Sequence, residues 1–202
     1  MICFERISVQ PVRPFANRGI VRQYAIEAAK WIAHPEGNTS TDQFYDFELD
    51  VEFAQETSFR LHVSADQRFE LFCDDGYVGM GPDRSDLRNW SFHSYSVRLP
   101  AGRHRFRASV HYIVTHRAHA QVSLFPAFIL AAEGAPVDLN TGSAPWTVRK
   151  RAGVLCEKPA FSDKWYQVVG PNFTIDGAAF FAPAEALRPV PVPVPGGQCV
   201  FH

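Results

Sequence analysis

Tyr45-Asp46-Phe47-Glu48-Leu49-Asp50-Val51-Glu52-Phe53 decides the fold. Every second residue is apolar, and each residue between is acidic. In an extended chain, successive side chains point to opposite faces, so this stretch predicts a half-buried strand. Tyr45, Phe47, Leu49, Val51 and Phe53 face inward, and the acids face out. A helix would scatter the same five apolar groups around its circumference.

Working outward, the period of two recurs. Phe59, Leu61 and Val63 alternate with Arg60, His62 and Ser64. Phe69, Leu71 and Cys73 follow, and Asp75-Gly76 predicts a two-residue hairpin turn, because such turns need positive φ. The returning strand leads to a polar loop carrying Asp83, Arg84, Ser85 and Asp86. His93, Tyr95, Val97 and Leu99 alternate with Ser94, Ser96 and Arg98, and Pro100-Ala101-Gly102 makes a turn. Phe106, Ala108, Val110 and Tyr112 alternate with Arg105, Arg107, Ser109 and His111. Val122, Leu124 and Phe128 to Ala132 predict one long strand bent at Pro126. Trp146 to Arg149 and Trp165 to Val169 read as shorter strands. Many short strands with turn residues between them and no long helix predict an all-β chain. The expected fold is an antiparallel jelly-roll β-sandwich of the galactose-binding-like type.

The expected organisation is an irregular N-terminal segment at 1–28, a sandwich domain at 29–187 and a Pro-rich tail at 188–202. A short helix is expected within 19–31, through Tyr24, Ala25, Ala28 and Ala29. The tail contains Arg188-Pro189-Val190-Pro191-Val192-Pro193-Val194-Pro195. Alternating Pro removes every second amide donor, so the tail cannot be an inner strand and reads as a strap or linker.

The chain has 202 residues, 46% of them hydrophobic, enough for one sizeable core. Lys and Arg total 20 against 21 Asp and Glu, a net charge of −1. That balance supplies no field for nucleic acid or an anionic membrane, and neither is an expected partner. No apolar run approaches the ~20 residues of a membrane-spanning helix, and no signal peptide is visible at the N-terminus. The expected location is cytoplasmic. Cys3, Cys73, Cys156 and Cys199 are widely spaced, with no CxxC pair. Cys73 falls on an apolar strand face and reads as a small core residue. His111, His116 and His119 are separated so that no common face is fixed, and no compact Asp/Asn run offers a calcium loop. No metal or cofactor is expected. Nucleotide-binding and hydrolase motifs are absent from the sequence.

One set of motifs resembles a known family. Ala65-Asp66-x-Arg68-Phe69-x-Leu71-Phe72 precedes a turn with Gly76. Gly79-x-Gly81-Pro82-x-Arg84-Ser85-Asp86, Trp90, Tyr95-Ser96-Val97 and Leu99-Pro100-Ala101-Gly102 follow. With Ala29-Lys30-Trp31-Ile32 upstream, and Ala127 to Glu133 and Thr141 to Val148 downstream, this resembles the amino-terminal β-sandwich region of bacterial α-L-rhamnosidase-like glycoside hydrolases. Asp75-Gly76 stands where that family usually has Asn-Gly. The family's catalytic acids lie on a large (α/α) barrel that this sequence does not contain. The resemblance therefore implies a non-catalytic module. It would bind glycan weakly, with a rhamnose-containing glycan as one candidate, or brace a catalytic barrel domain or another protein.

Within this frame the candidate ligand-binding residues are Arg68, Arg84, Asp86 and Trp90. Planar guanidinium and carboxylate groups grip vicinal hydroxyls through paired hydrogen bonds, and an indole stacks on a sugar face. Arg68, Arg84 and Arg88 with Asp86 also suit an Arg-Asp lattice that pins the loop, and an indole such as Trp90 or Trp31 is more often a core residue than a ligand platform. Asp66, Asp74, Asp75, Asp83 and Asp86 crowd one segment. A small glycosidase would need two of them about 5–10 Å apart. No such pair is selected by the sequence, so no catalytic residue is assigned. A protein-docking module is the remaining alternative.

Overall fold

The structure is a computed structural model that describes residues 2–10, 24–86, 90–158 and 170–193. Among the described residues, thirteen strands run in the order β1 (Cys3–Ile7), β2 (Ile32–Ala33), β3 (Gln43–Phe53), β4 (Thr57–Asp66), β5 (Arg68–Cys73), β6 (Gly76–Gly81), β7 (His93–Leu99), β8 (Gly102–Tyr112), β9 (Ala127–Glu133), β10 (Thr147–Lys150), β11 (Val154–Glu157), β12 (Asn172–Ile175) and β13 (Val190–Pro191). One 3₁₀ turn covers Ala25–Ala28 and one single-turn helix, α1, covers Gly177–Phe180. The chain is all-β and antiparallel, as the alternation predicts. No helix among the described residues is long and apolar enough to cross a membrane.

Two sheets make the sandwich. One has the order β1-β7-β4-β9-β2-β13 and the other β10-β3-β8-β5-β6; β11 and β12 pair separately. The inner faces carry the alternating apolar residues. Tyr45, Phe47, Leu49 and Phe53 of β3 meet Phe59, Leu61 and Val63 of β4, with Phe106, Val110, Phe128 and Trp146 in the same core. Phe47 and Phe128 stack across the sheets with ring centroids 5.2 Å apart. Cys73 lies in this core, and burial pushes its thiol up to about 12.

The outer face of the second sheet is strongly charged. Glu48, Asp50 and Glu52 of β3 stand opposite Arg107, Arg105 and Arg103 of β8. Arg105 donates Nε and Nη2 to the two oxygens of Asp50, at 2.7 and 3.0 Å. Asp46 is buried rather than solvated, because Arg151 donates to it at 2.7 Å and the Ser109 hydroxyl does so at 2.7 Å.

The outer face of the first sheet is covered too. Tyr24, Ile26, Trp31, Trp90 and Phe92 pack over Ala127, Ile129 and Ala131 as a second cluster. This cover buries His62 and Ser64 on β4, which the alternation alone would expose.

Other departures from the sequence reading are local. The hairpin turn is Asp74-Asp75, with φ of 51° and 63°, and Gly76 instead opens β6 opposite Cys73. Tertiary bonds select this register. Asp74 accepts from the Arg105 amide at 2.8 Å and from His104 Nδ1 at 2.6 Å. Strand β9 begins only after Pro126, and Val122 and Leu124 belong to the loop before it. The N-terminal segment contains an edge strand, β1, paired with β7. The helix expected within 19–31 is reduced to the 3₁₀ turn, with 19–23 outside the described residues, as is the strand expected at 165–169. The Pro strap is an edge strand, with Val190 and Pro191 opposite Ala33 and Ile32.

Candidate functional site

The start of β5, the end of β8 and three loops enclose a groove of about 410 Å³ at one rim of the sandwich. Gln67 sets its floor. Its side-chain amide donates to the Ile113 carbonyl at 2.7 Å and accepts from the Ile113 amide at 3.0 Å. This copies one step of strand pairing and fixes β5 against β8 where the regular ladder ends. Arg68 follows directly, half-buried, opposite His111.

The loop after β8 forms one wall and is clamped at both ends. Asp42 accepts from the amides of Val114 and Thr115 at 2.7 and 2.8 Å. Those bonds hold its carboxyl below the usual carboxylate range despite partial burial. Asp66 accepts from the Ser123 hydroxyl and the Leu124 and Phe125 amides. Burial nonetheless pushes its carboxyl upward. Between the clamps the loop presents Arg117, Ala118 and Gln121 to the groove. The opposite wall is Gly170 to Phe173, with the Phe173 ring edge-on to Phe44 at 5.9 Å and tilted against His111 at 6.2 Å. His111 is pushed down to about 4, first by loss of solvent and then by the Arg68 charge, so it stands neutral at pH 7.

The loop after β6 splits its duties. Asp83 turns toward β1 and β7, where Arg6 donates to it at 3.1 Å and His93 Nε2 lies 3.2 Å away. Arg84 turns to the groove. Asp86 is exposed and does not line it. Ser85 accepts the Ser91 amide at 3.2 Å, tying the loop to the segment before β7.

Of the residues singled out by sequence, Arg68 and Arg84 meet in one groove. Trp90 does not join them. It is 3% exposed, its indole N–H donates to the Ser64 hydroxyl at 3.1 Å, and its ring stands edge-on to Trp31 at 6.0 Å. Neither indole offers a face to a ligand: Trp31 is 7% exposed. Arg88 lies outside the described residues. The clustered aspartates have separate tasks: Asp66 in the loop clamp, Asp74 in the hairpin turn and Asp83 in the Arg6 pair. Sequence reasoning missed Arg117, Gln121 and Phe173.

A second, open cleft of about 520 Å³ is lined by Asp50, Glu52, Asp74, Arg103, His104 and Arg105. Its arginines are matched by acids, Arg105 with Asp50 and Arg103 with Glu52, and His104 is hydrogen-bonded to Asp74. Cys73, Asp74 and His104 bring ligand atoms within 4.8 Å of one another. The set suits a metal poorly. His104 Nε2 already lies 3.0 Å from the Pro100 carbonyl, its Nδ1 is on Asp74, and the thiol is held protonated by burial.

No protein-family profile matches the chain, and no curated protein matches it. Among solved structures, it is similar to the crystal structure of a GH78 family rhamnosidase of Bacillus sp. GL1. The TM-score is 0.67 at 18% identity, covering 86% of this chain and 19% of that chain. It also matches a Pleurotus ostreatus lectin in its apo form, with a TM-score of 0.44 at 15% identity over 86% of this chain and 45% of that chain. The same lectin in complex with GalNAc gives 0.48 at 13% identity, over 87% and 46%. The chain spans about a fifth of the length of the rhamnosidase, 19%. It has a rhamnosidase-like β fold.

Proposed function

We propose that this chain is a non-catalytic carbohydrate-binding β-module, of the kind that accompanies the catalytic part of a rhamnosidase-like glycoside hydrolase. The strand order supports a jelly-roll, galactose-binding-like description of the sandwich. The observation that carries the reading is the rim groove. Arg68, Arg84, Arg117, Gln121 and Asn172 offer hydrogen-bonding groups to hydroxyls, and Phe173, 46% exposed, offers an aromatic face. The aromatic platform sought at Trp90 is thus supplied by Phe173. A rhamnose-containing glycan is one ligand class. The 29–187 unit with its 188–193 strap is the proposed module.

A groove this open gives modest affinity, with Kd on the order of 10 μM to 1 mM. Calorimetric titration of the chain with saccharides, in wild type and in Arg68→Ala and Arg84→Ala, tests the reading. Binding in the wild type that weakens about tenfold or more in both variants supports it. Unchanged binding in both variants, or none in the wild type, removes it.

A second reading, docking of another protein domain, is favoured by one observation. Leu155, Phe173, Ile175 and Phe181 are 60%, 46%, 55% and 79% exposed along the β11–β12 pair and the segment after it.

A further inference from the structure

The rim groove does not end at His111. Strands β3, β8 and β5 lie side by side, so their outward residues form rows across the sheet. Phe44, His111 and Arg68 make one row, and Asp46, Ser109 and Glu70 make the next. Arg68 and His111 line the rim groove, while the second row lines a neighbouring hollow of about 220 Å³. The β11–β12 pair walls both spaces. Phe173 lines both, and Ile175, two residues further along the same face of β12, lines the hollow. Because His111 and Phe173 belong to both linings, the groove and the hollow meet along them. On β5 and on β12 the step from one space to the other is two residues of extended chain, roughly 7 Å. Such a step is comparable to the spacing of successive rings in a glycan.

The wall over the hollow is fixed in place. Where the chain leaves β10 for β11, the Arg151 amide donates to the Phe44 carbonyl at 2.8 Å and its Nε to Asp46 at 2.7 Å. At the far end of the pair the Asp176 amide donates to the Gly153 carbonyl at 2.8 Å. At about 220 Å³ the hollow is smaller than a self-standing ligand site of roughly 300–1,000 Å³, so it serves as an extension of the 410 Å³ groove. Its surfaces suit a sugar ring. Phe173, Ile175 and Val154 offer apolar area to the C–H face of the ring. Of the two carboxylates in the lining, Asp46 already accepts from Arg151 and Ser109, and Glu70 is exposed to accept from hydroxyls. We infer that groove and hollow form one cleft that recognises an oligosaccharide, with successive rings in the two spaces and Phe173 between them. This inference rests on the carbohydrate reading above and narrows it from a single sugar to a chain of at least two.

The test is calorimetric titration of the full chain with methyl glycosides of one, two and three units. Three series are used: α-(1→3)-linked L-rhamnose, β-(1→4)-linked D-glucose and β-(1→4)-linked D-galactose. In a series that binds, the disaccharide should bind at least about tenfold more tightly than the monosaccharide. Glu70→Ala and Ile175→Ala replace exposed side chains of the hollow. Each should lose most of that gain and leave monosaccharide affinity within about twofold of the wild type, whereas Arg68→Ala should weaken every length. Equal affinity for one, two and three units would overturn the inference and leave the carbohydrate reading standing. So would a gain that survives in both Glu70→Ala and Ile175→Ala, or a loss in them that falls equally on the monosaccharide. Failure of every saccharide would remove both.

Discussion

At the scale of the residue, His111 joins stability to the groove. Its imidazole is pushed down from 6.5 to about 4 by burial and by the Arg68 charge. The sign follows from linkage. Between these two values the unfolded chain takes up a proton that the folded chain refuses. The contribution of a neutral, half-buried His111 is therefore complete above pH 6.5 and is lost progressively as the pH falls toward 4. His34 and His62 are lowered as well and act in the same direction, while Asp66, raised by burial, acts in the opposite one. All three persist in His111→Gln, so comparison with that variant isolates His111. Melting temperature followed across this window should fall more steeply in the wild type than in His111→Gln. Parallel curves would show that His111 is solvated in the folded state.

Residues also mark where sequence reading loses force. Asp75-Gly76 is the stronger local turn signal, yet Asp74-Asp75 forms the turn, because the Asp74 carboxylate is claimed by His104 and the Arg105 amide from a distant strand. Local preference for glycine was outweighed by two tertiary hydrogen bonds. Trp90 failed as a ligand platform for a similar reason. Whether an indole on a loop is buried depends on what covers it, and here the cover comes from Tyr24, Ile26 and Trp31, some sixty residues away in sequence.

At the scale of the element, the inner face of β3 was legible. Its period of two follows from one face being in the core, and the structure buries Tyr45, Phe47, Leu49 and Phe53 as expected. Its outer face was legible only in part. The acids at 48, 50 and 52 read as solvated, although the arginines at 103, 105 and 107 repeat with the same period and opposite sign. Charge complementarity would have paired β3 with β8. The two faces should respond differently to substitution. Phe47→Ala should cost about 3–5 kcal/mol, through lost burial and the cavity left between the sheets. Glu48→Gln, which loses the ion pair with Arg149, should cost about 1 kcal/mol or less. Chemical denaturation of both variants checks this, and equal losses would contradict the assignment of faces.

The loop after β8 shows the opposite case. Its apolar residues Val122 and Leu124 suggested a strand, but Asp66 and Asp42 hold the backbone in a loop by accepting its amides. A carboxylate that arrives from another strand leaves no periodic trace in the segment it clamps. Arg117 and Gln121 reach the groove through these clamps, which is why they were not legible as site residues.

At the scale of the whole molecule, the sandwich and the site have different origins. The sandwich arises from alternation repeated along the chain, and such a pattern is visible one strand at a time. The groove arises where the start of β5, the end of β8, two loops and the entry to β12 meet, and only the folded chain brings these together. The sequence singled out Arg68 and Arg84, two of the three arginines that line the groove among the described residues, because they flank the same hairpin. The likeness to the rhamnosidase extends over 86% of the chain, so the sandwich accounts for nearly all of it. The central claim is that the rim groove, and not the larger cleft around Asp50 and His104, is where a saccharide binds.

Backbone amide resonances recorded during titration with monosaccharides test that claim most directly. The account predicts shifts confined to Gln67, Arg68, Arg84, the 111–121 segment and the 170–173 segment, with the Phe173 ring protons moving alongside them. Shifts centred on Asp50, Asp74, Arg103 and His104, or no shifts with any saccharide, would contradict it.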